Sequence, residues 1–167
     1  MALDTTLLMS INATLSNALD LGVASAPLNK AYPLYWPTGT GLSQSDKIFH
    51  DTRTVNASTN DDVDLAGVLT DPFGVALTFA RIKAMIIARS DPTNPNNLTI
   101  GNGSNPFLTW VGAAAHTITI RPGGLFVLAA PDATAYAVTA GTGDILRIAN
   151  GSGSAVTYDL ILVGASA

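Results

Sequence analysis

The residues most able to do chemistry are three closely spaced carboxylates, Asp61, Asp62 and Asp64. Such carboxylates could supply the oxygen ligands that Ca²⁺ takes in proteins, although the glycine and bidentate glutamate of an EF-hand loop do not follow. On a strand, Asp62 and Asp64 would point to the same face. The cluster is therefore either an ion site or a solvated strand edge whose charge blocks aggregation, and the sequence favours the solvated edge.

Groups for acid–base or nucleophilic catalysis are sparse. The chain has two histidines, His50 and His116, and no cysteine. Ser45, His50 and Asp51 contain the residue types of a catalytic triad, but no nucleophile elbow of the G-x-S-x-G kind is present. All 12 acidic residues are aspartates, which disfavours a paired-carboxylate glycosidase or polysaccharide depolymerase. We expect no enzyme, no catalytic residue, no metal and no cofactor.

Three aromatic residues in a proline-rich segment are the best candidates for a contact surface. Tyr32, Tyr35 and Trp36 lie between Pro27 and Pro37. Exposed aromatics can stack on sugars or anchor a protein partner, whereas a flap would use them to cover one end of the fold. A flap is the commoner use. We nevertheless hypothesise that these three residues lie at or near a subunit contact.

Composition limits the function classes. Charged residues make up 12% of the chain, compared with about 25% in an average soluble protein. The net charge is −4 and no basic run occurs, so we expect no nucleic-acid partner. No apolar run approaches about 18 residues, and the first residues lack a basic segment before an apolar one, so we expect neither a membrane span nor a secretory signal.

Short strands separated by tight turns dominate the chain after residue 43. Segments 117–120, 125–128, 135–138, 145–148 and 157–163 have strand-like composition, and glycine-rich turns separate them. Segment 78–90 is apolar on nearly both faces, which is typical of a central strand. The pattern predicts nine to ten strands and an all-β fold: a two-sheet antiparallel β-sandwich, jelly-roll-like, with an extended N-terminal segment.

The first 42 residues differ from the remainder. Leu7, Ile11 and Leu15 have helical spacing, but Ile11, Ala13 and Leu15 also alternate with polar residues, and the poor helix formers around them favour a strand over 5–21. We expect this strand to end in the stretch 22–27. Prolines then predict a loop or an edge strand over 26–42. We divide the chain into an N-terminal arm and proline-rich loop, 1–42, and a β-sandwich domain, 43–167.

Several short motifs, mostly turns, occur in an order that resembles a small virion protein of tailed bacteriophages. They include Leu69-Thr70-Asp71-Pro72-Phe73-Gly74, Ile120-Arg121-Pro122-Gly123-Gly124 and Thr139-Ala140-Gly141-Thr142-Gly143-Asp144, together with segments 51–54, 64–67, 79–84, 100–101, 105–107, 129–132 and 158–164. The resemblance covers about residues 45–165.

This resemblance implies a structural protein of a phage particle, of the capsid decoration (cement) type. Such a protein would be made in the host cytoplasm and would bind the outer capsid surface. Its implied partners are the major capsid protein and further copies of itself, with a homotrimer favoured. The alternative is a tail or fibre component that acts as a carbohydrate- or receptor-binding module, because fold alone does not decide function.

Overall fold

The computed structural model describes residues 2–151 and 153–167 and is all-β. The described residues form no helix, and thus none that could cross a membrane. The strands are β1 (Thr5–Leu19), β2 (Gly22–Trp36), β3 (Lys47–Val55), β4 (Thr59–Asp64), β5 (Leu69–Thr70), β6 (Ala76–Leu77), β7 (Arg81–Ala88), β8 (Leu98–Gly101), β9 (Thr117–Ile120), β10 (Leu125–Ala129), β11 (Tyr136–Ala137), β12 (Ile145–Asn150) and β13 (Val156–Ala165).

Two sheets form the body of the protein. The five-stranded sheet has the order β10-β7-β13-β3, with β11 also paired to β7, and the four-stranded sheet has the order β4-β12-β8-β9. All of these pairings are antiparallel. The predicted two-sheet antiparallel β-sandwich is confirmed, whereas its jelly-roll character stays a prediction.

Alternation along the strands builds the core between the sheets. In β13, Val156, Tyr158 and Leu160 are buried, whereas Thr157 and Asp159 between them are exposed. Opposite them, Leu146 and Ile148 of β12 are buried in the same cluster. Because side chains of a strand point alternately to its two faces, this period of two gives each sheet one inner face.

The loop between β8 and β9 closes one side of the core. Phe107 is buried, and Trp110 packs against the core with its ring 5.6 Å from that of Phe126 in an edge-to-face arrangement. The Trp110 indole N–H donates to the Phe107 carbonyl at 2.9 Å. The two aromatics of this loop therefore fold back over the sheet.

A bulge on β7 buries a lysine beneath the connection to the arm. The register of β7 with β13 shifts between Val163 and Gly164, leaving Lys83 as the additional residue. The ammonium of this fully buried lysine donates to the carbonyls of Gly41 (3.2 Å) and Asp132, so it ties two loops to the sheet. Burial lowers the pKa of Lys83 from its usual value.

At the bulge, Gly164 fills a place that no larger residue fits. A Cβ at this position would lie 2.3 Å from the Arg81 carbonyl oxygen and 2.6 Å from the Phe79 ring. We expect Gly164→Ala to lower the free energy of unfolding by about 2 kcal/mol, because either the backbone or the ring must shift. Urea denaturation measures this. Gly22→Ala, where a Cβ meets nothing within 4 Å, is the control, and equal stability of the two variants would contradict the packing argument.

Candidate interaction surface

A long two-stranded ribbon, residues 5–36, projects from the sandwich and is called the arm below. Strands β1 and β2 pair over their full length, from Thr5 with Trp36 to Leu19 with Gly22, and Asp20 and Leu21 form the turn. The prediction of a strand over 5–21 is confirmed for β1. The chain resumes as an edge strand at Gly22 and continues to Trp36, so the irregular part of 26–42 begins only after that residue.

Two prolines are compatible with β2 because the ribbon has no third strand. Pro27 and Pro33 are six residues apart, so their nitrogens point to the same side of the strand. The ladder to β1 tolerates them only when both nitrogens face away from β1, which is the edge position that proline accepts. The free edge of β2 therefore lacks two amide donors.

The pairing register sorts the arm into two unlike faces, because residues directly opposite each other share a face. One face, called the apolar face below, carries mainly aliphatic and aromatic side chains. Its members from β1 are Thr5, Leu7, Met9, Ile11, Ala13, Leu15, Asn17 and Leu19, and those from β2 are Gly22, Ala24, Ala26, Leu28, Lys30, Tyr32, Leu34 and Trp36. The opposite face, called the polar face, has Ser10, Asn12, Thr14, Ser16, Ser25 and Asn29 at its centre.

Only the base of the apolar face is covered by the protein itself. Trp36 is fully buried with Ala84 and Val163, and Leu7 and Leu34 pack against this cluster. The hydroxyl of Thr38 adds a clasp, since it accepts from the Leu3 amide at 2.6 Å and donates to the Leu3 carbonyl at 2.8 Å.

Beyond the base, the large side chains of the apolar face are exposed. Leu15 is 78% exposed, and Met9, Ile11, Leu19, Leu28 and Tyr32 are also exposed. A contiguous apolar strip of this kind marks an interaction site in a soluble protein. An isolated two-stranded hairpin is marginally stable in water, so packing of this strip against another surface would stabilise the arm.

The three aromatic residues predicted as partner contacts do not form one group. Trp36 is covered by the sheet and serves to attach the arm, so it cannot itself touch a partner in this conformation. Tyr32 and Tyr35 are exposed, at 55% and 58%, but Tyr32 lies on the apolar face and Tyr35 on the polar face. Partner contact through Tyr32 and Tyr35 stays a prediction.

The apolar character of the arm continues onto the sandwich. The side of the five-stranded sheet that points away from the core, called the outer face below, begins with Ile48, Val163, Ala84 and Ala129 beneath the base of the arm. The next row across the strands is His50, Ile161, Ile86 and Val127, and the row after it is Thr52, Asp159, Ala88 and Leu125. Leu125 is 63% exposed, and Ile86, Val127 and Ile161 are partly exposed.

The acidic cluster of β4 is divided among separate contacts. Asp62 pairs with Arg147 at 2.6 Å on the surface, and the Asp64 carboxylate accepts from the Ala66 amide at 3.0 Å. Asp61 faces Arg53 and Tyr158 instead. Among the residues that the structure describes, no three histidine or aspartate side chains converge as metal ligands would.

Ser45, His50 and Asp51, which have the residue types of a catalytic triad, do not form one. Ser45 is fully buried and its hydroxyl has no hydrogen-bond partner. His50 is exposed on the outer face, and Asp51 pairs with Arg53 at 3.0 Å. These three groups therefore lack the hydrogen bonds from nucleophile to base and from base to carboxylate that a triad requires.

An ionic network joins the two sheets at their β3–β4 edge. The guanidinium of Arg53 on β3 donates to Asp61 on β4 at 2.6 and 2.8 Å, and the Tyr158 hydroxyl donates to Asp61 at 2.7 Å. Burial raises the pKa of Tyr158, and its bond to Asp61 raises it further. Burial also acts to raise the pKa of Asp61, but hydrogen bonds from Arg53 and Tyr158 outweigh it, so the pKa of Asp61 is lowered.

Comparison of the chain with protein-family models, with curated proteins and with solved structures finds no match. The description of the arm and of the outer face therefore depends on the strand pairing and burial in this chain alone. The signal for them was present in the sequence: folding it about Asp20-Leu21 pairs Ile11, Ala13 and Leu15 with the alternating residues of β2. Because of its prolines, the second strand was predicted only as one of two alternatives, a loop or an edge strand.

The lowered pKa of Asp61 makes its contribution dependent on pH. A carboxylate with a lowered folded-state pKa stabilises the fold above its unfolded pKa of about 3.9, and this stabilisation is lost as the pH falls through the folded-state value. We expect Asp61→Asn to lower the free energy of unfolding by about 2 kcal/mol at pH 7, and the deficit to shrink below about pH 4.

Urea denaturation at several pH values measures this deficit. The control is Asp62→Asn, which removes the exposed pair with Arg147 and should cost less than about 1 kcal/mol. A deficit for Asp61→Asn that stayed constant between pH 7 and pH 3 would show that its charge is not the source of the stability.

Proposed function

We propose that this protein is a non-enzymatic structural subunit of a phage particle, a decoration protein that binds the outer surface of the capsid. The observation that carries the proposal is the arm, whose exposed apolar face needs a large partner surface. The resemblance of segments within 45–165 to small virion proteins of tailed bacteriophages is the basis for proposing a phage particle as the partner. Binding at the joints of a shell would stabilise the shell.

The character of the surface is consistent with this role. Only 12% of the residues are charged, so long-range repulsion between neighbouring copies is weak. Turns are closed by local hydrogen bonds, such as those from the Phe73 and Val75 amides to the Asp71 carboxylate at 2.9 Å. Short closed turns suit a protein that stays exposed on a particle, because open loop tips are where proteases cut.

No comparable observation favours a carbohydrate-binding tail or fibre module. A sugar-stacking platform needs aromatic rings side by side on one accessible surface. Here Tyr32 and Tyr35 lie on opposite faces of the arm, and Trp36 is buried. The experiment below distinguishes a location on the tail from a location on the capsid.

Shortening the arm tests the proposal while preserving its base. Met9 and Tyr32 are directly paired, so replacing residues 10–31 by Asn-Gly closes a two-residue hairpin and leaves Leu7, Leu34 and Trp36 in place. We expect the full chain to bind capsids that lack it in a saturable manner, and the shortened chain to bind about 100-fold more weakly, because the exposed anchor residues are gone. Cosedimentation with purified shells measures both affinities.

Two controls make the result interpretable. Thermal unfolding of the shortened chain should match that of the full chain, since the sandwich core has no members in 10–31. Undiminished shell binding by the shortened chain would remove the arm from the proposal. A full chain that binds no shells, but is found in a few copies in isolated tails, would transfer the protein to the tail.

A further inference from the structure

Two uncovered apolar surfaces of this chain have matching chemistry. The first is the apolar face of the arm beyond its base, from Met9 to Tyr32. The second is the part of the outer face beyond the row on which Trp36 packs, with Ile86, Ile161 and Leu125. At the base of the arm the two surfaces already pack together within one chain, through Trp36, Ala84 and Val163. That contact shows that residues of the apolar face pack on residues of the outer face at the base of the arm.

The β2 edge of the arm is poorly suited to the addition of a further strand. Pro27 and Pro33 remove two amide donors from the free edge of β2, which interrupts any added ladder along that edge. Every large apolar side chain of β1 except Leu8 lies on the apolar face. Hydrophobic burial therefore favours a partner that presents a flat apolar surface, such as the exposed side of a sheet.

Charge complementarity identifies a second copy of this chain as that partner. Lys30 is the one charged side chain on the apolar face, and it is exposed halfway along the arm. Asp159 is the one carboxylate on the outer face, and it is exposed in the row after Ile161. A shallow depression of about 280 Å³ surrounds it, lined by His50, Asp51, Thr52, Asp159, Leu160 and Ile161.

The length of the arm matches the width of the sandwich of a second copy. From Met9 to the turn, the ribbon extends about 35 Å at the usual rise of a strand. A domain the size of this sandwich is also about 35 Å across. An arm held at its base by Trp36 can therefore cross the sheet of one neighbouring copy.

We propose that the arm of one copy packs its apolar face on the outer face of the five-stranded sheet of a second copy, with Lys30 of the arm opposite Asp159 of that second copy. Because the two contacting surfaces differ, the copies assemble either as a pair in which each arm packs on the other copy or as a head-to-tail ring that closes when the rotation between copies closes. A ring of three copies would satisfy every arm and every outer face. The interface goes beyond the proposed function: where a second copy covers the apolar face, the assembly binds the shell through its remaining surfaces, and shortening the arm weakens shell binding by dispersing the assembly.

A matched pair of arm variants tests which face is buried. Leu15 and Ser16 are adjacent and both exposed, but Leu15 lies on the apolar face and Ser16 on the polar face. We expect Leu15→Asp to weaken self-association about tenfold or more, because it places a carboxylate in an apolar contact, and Ser16→Asp to leave it nearly unchanged. Sedimentation velocity over a concentration series measures the oligomer. A full chain that is monomeric at about 100 μM, or equal effects of the two changes, would overturn the proposal.

A charge exchange tests the receiving surface. Lys30→Asp and Asp159→Lys should each weaken self-association about tenfold, because each places like charges opposite each other, and the double variant should recover most of the loss. Both residues are exposed in the single chain, so folding is expected to be unaffected, and thermal unfolding checks this. If Leu15→Asp dissociates the oligomer but the exchange brings no recovery, the arms pack on another surface and the assignment to Asp159 is wrong.

Shell binding is measured separately, so the two proposals fail in different ways. Oligomers that show recovery by charge exchange but do not bind capsids retain this interface and remove the decoration role. Monomers that bind capsids through the arm retain the decoration role and overturn this interface. The arm-shortened chain, with residues 10–31 replaced, should be monomeric if the interface is correct.

Discussion

A two-stranded ribbon has no second layer with which to cover an apolar face, and this constraint governs the molecule. The arm sorts its side chains by register into an apolar face and a polar face, as a sheet does when it packs on a core. Here the core ends at Trp36, Leu7 and Leu34, while the ribbon continues. The remaining apolar face is exposed in the single chain, and the assembly proposed above would cover it.

The sandwich holds the base of that arm in place. Its inner faces interlock through Leu160, Leu162, Leu146 and Ile148, and the ion pair between Arg53 and Asp61 joins the sheets at one edge. The buried Lys83 ties the connection after the arm to the loop at Asp132. A base held in this way gives the arm a defined direction, which reduces the entropy lost when a partner orders it.

Much of the fold followed from local pattern. Strand-like composition and glycine-rich turns indicated strands of the sandwich, and the composition around Ile11 correctly favoured a strand over a helix. The candidate surface was found only in part. Tyr32 and Tyr35 are exposed, but Trp36 is buried, and the aliphatic residues that dominate the apolar face were not recognised as a group. The prolines of β2 left a loop and an edge strand as alternatives, so the strand that completes that face was not assigned.

The all-β class, the low charge content and the strand character of the arm are evident from the sequence, because they depend on residue type and on a period of two along the chain. Which residues meet is evident only after folding. Asp61 faces Arg53 and Tyr158 across two sheets, and Trp36 is covered by Ala84 and Val163. Lys30 lies on the apolar face of the arm, and Asp159 lies on the outer face of the sheet, where it accepts from the Thr52 hydroxyl. Such outcomes depend on the pairing of residues distant in sequence, and a register shift of one residue would reverse every face.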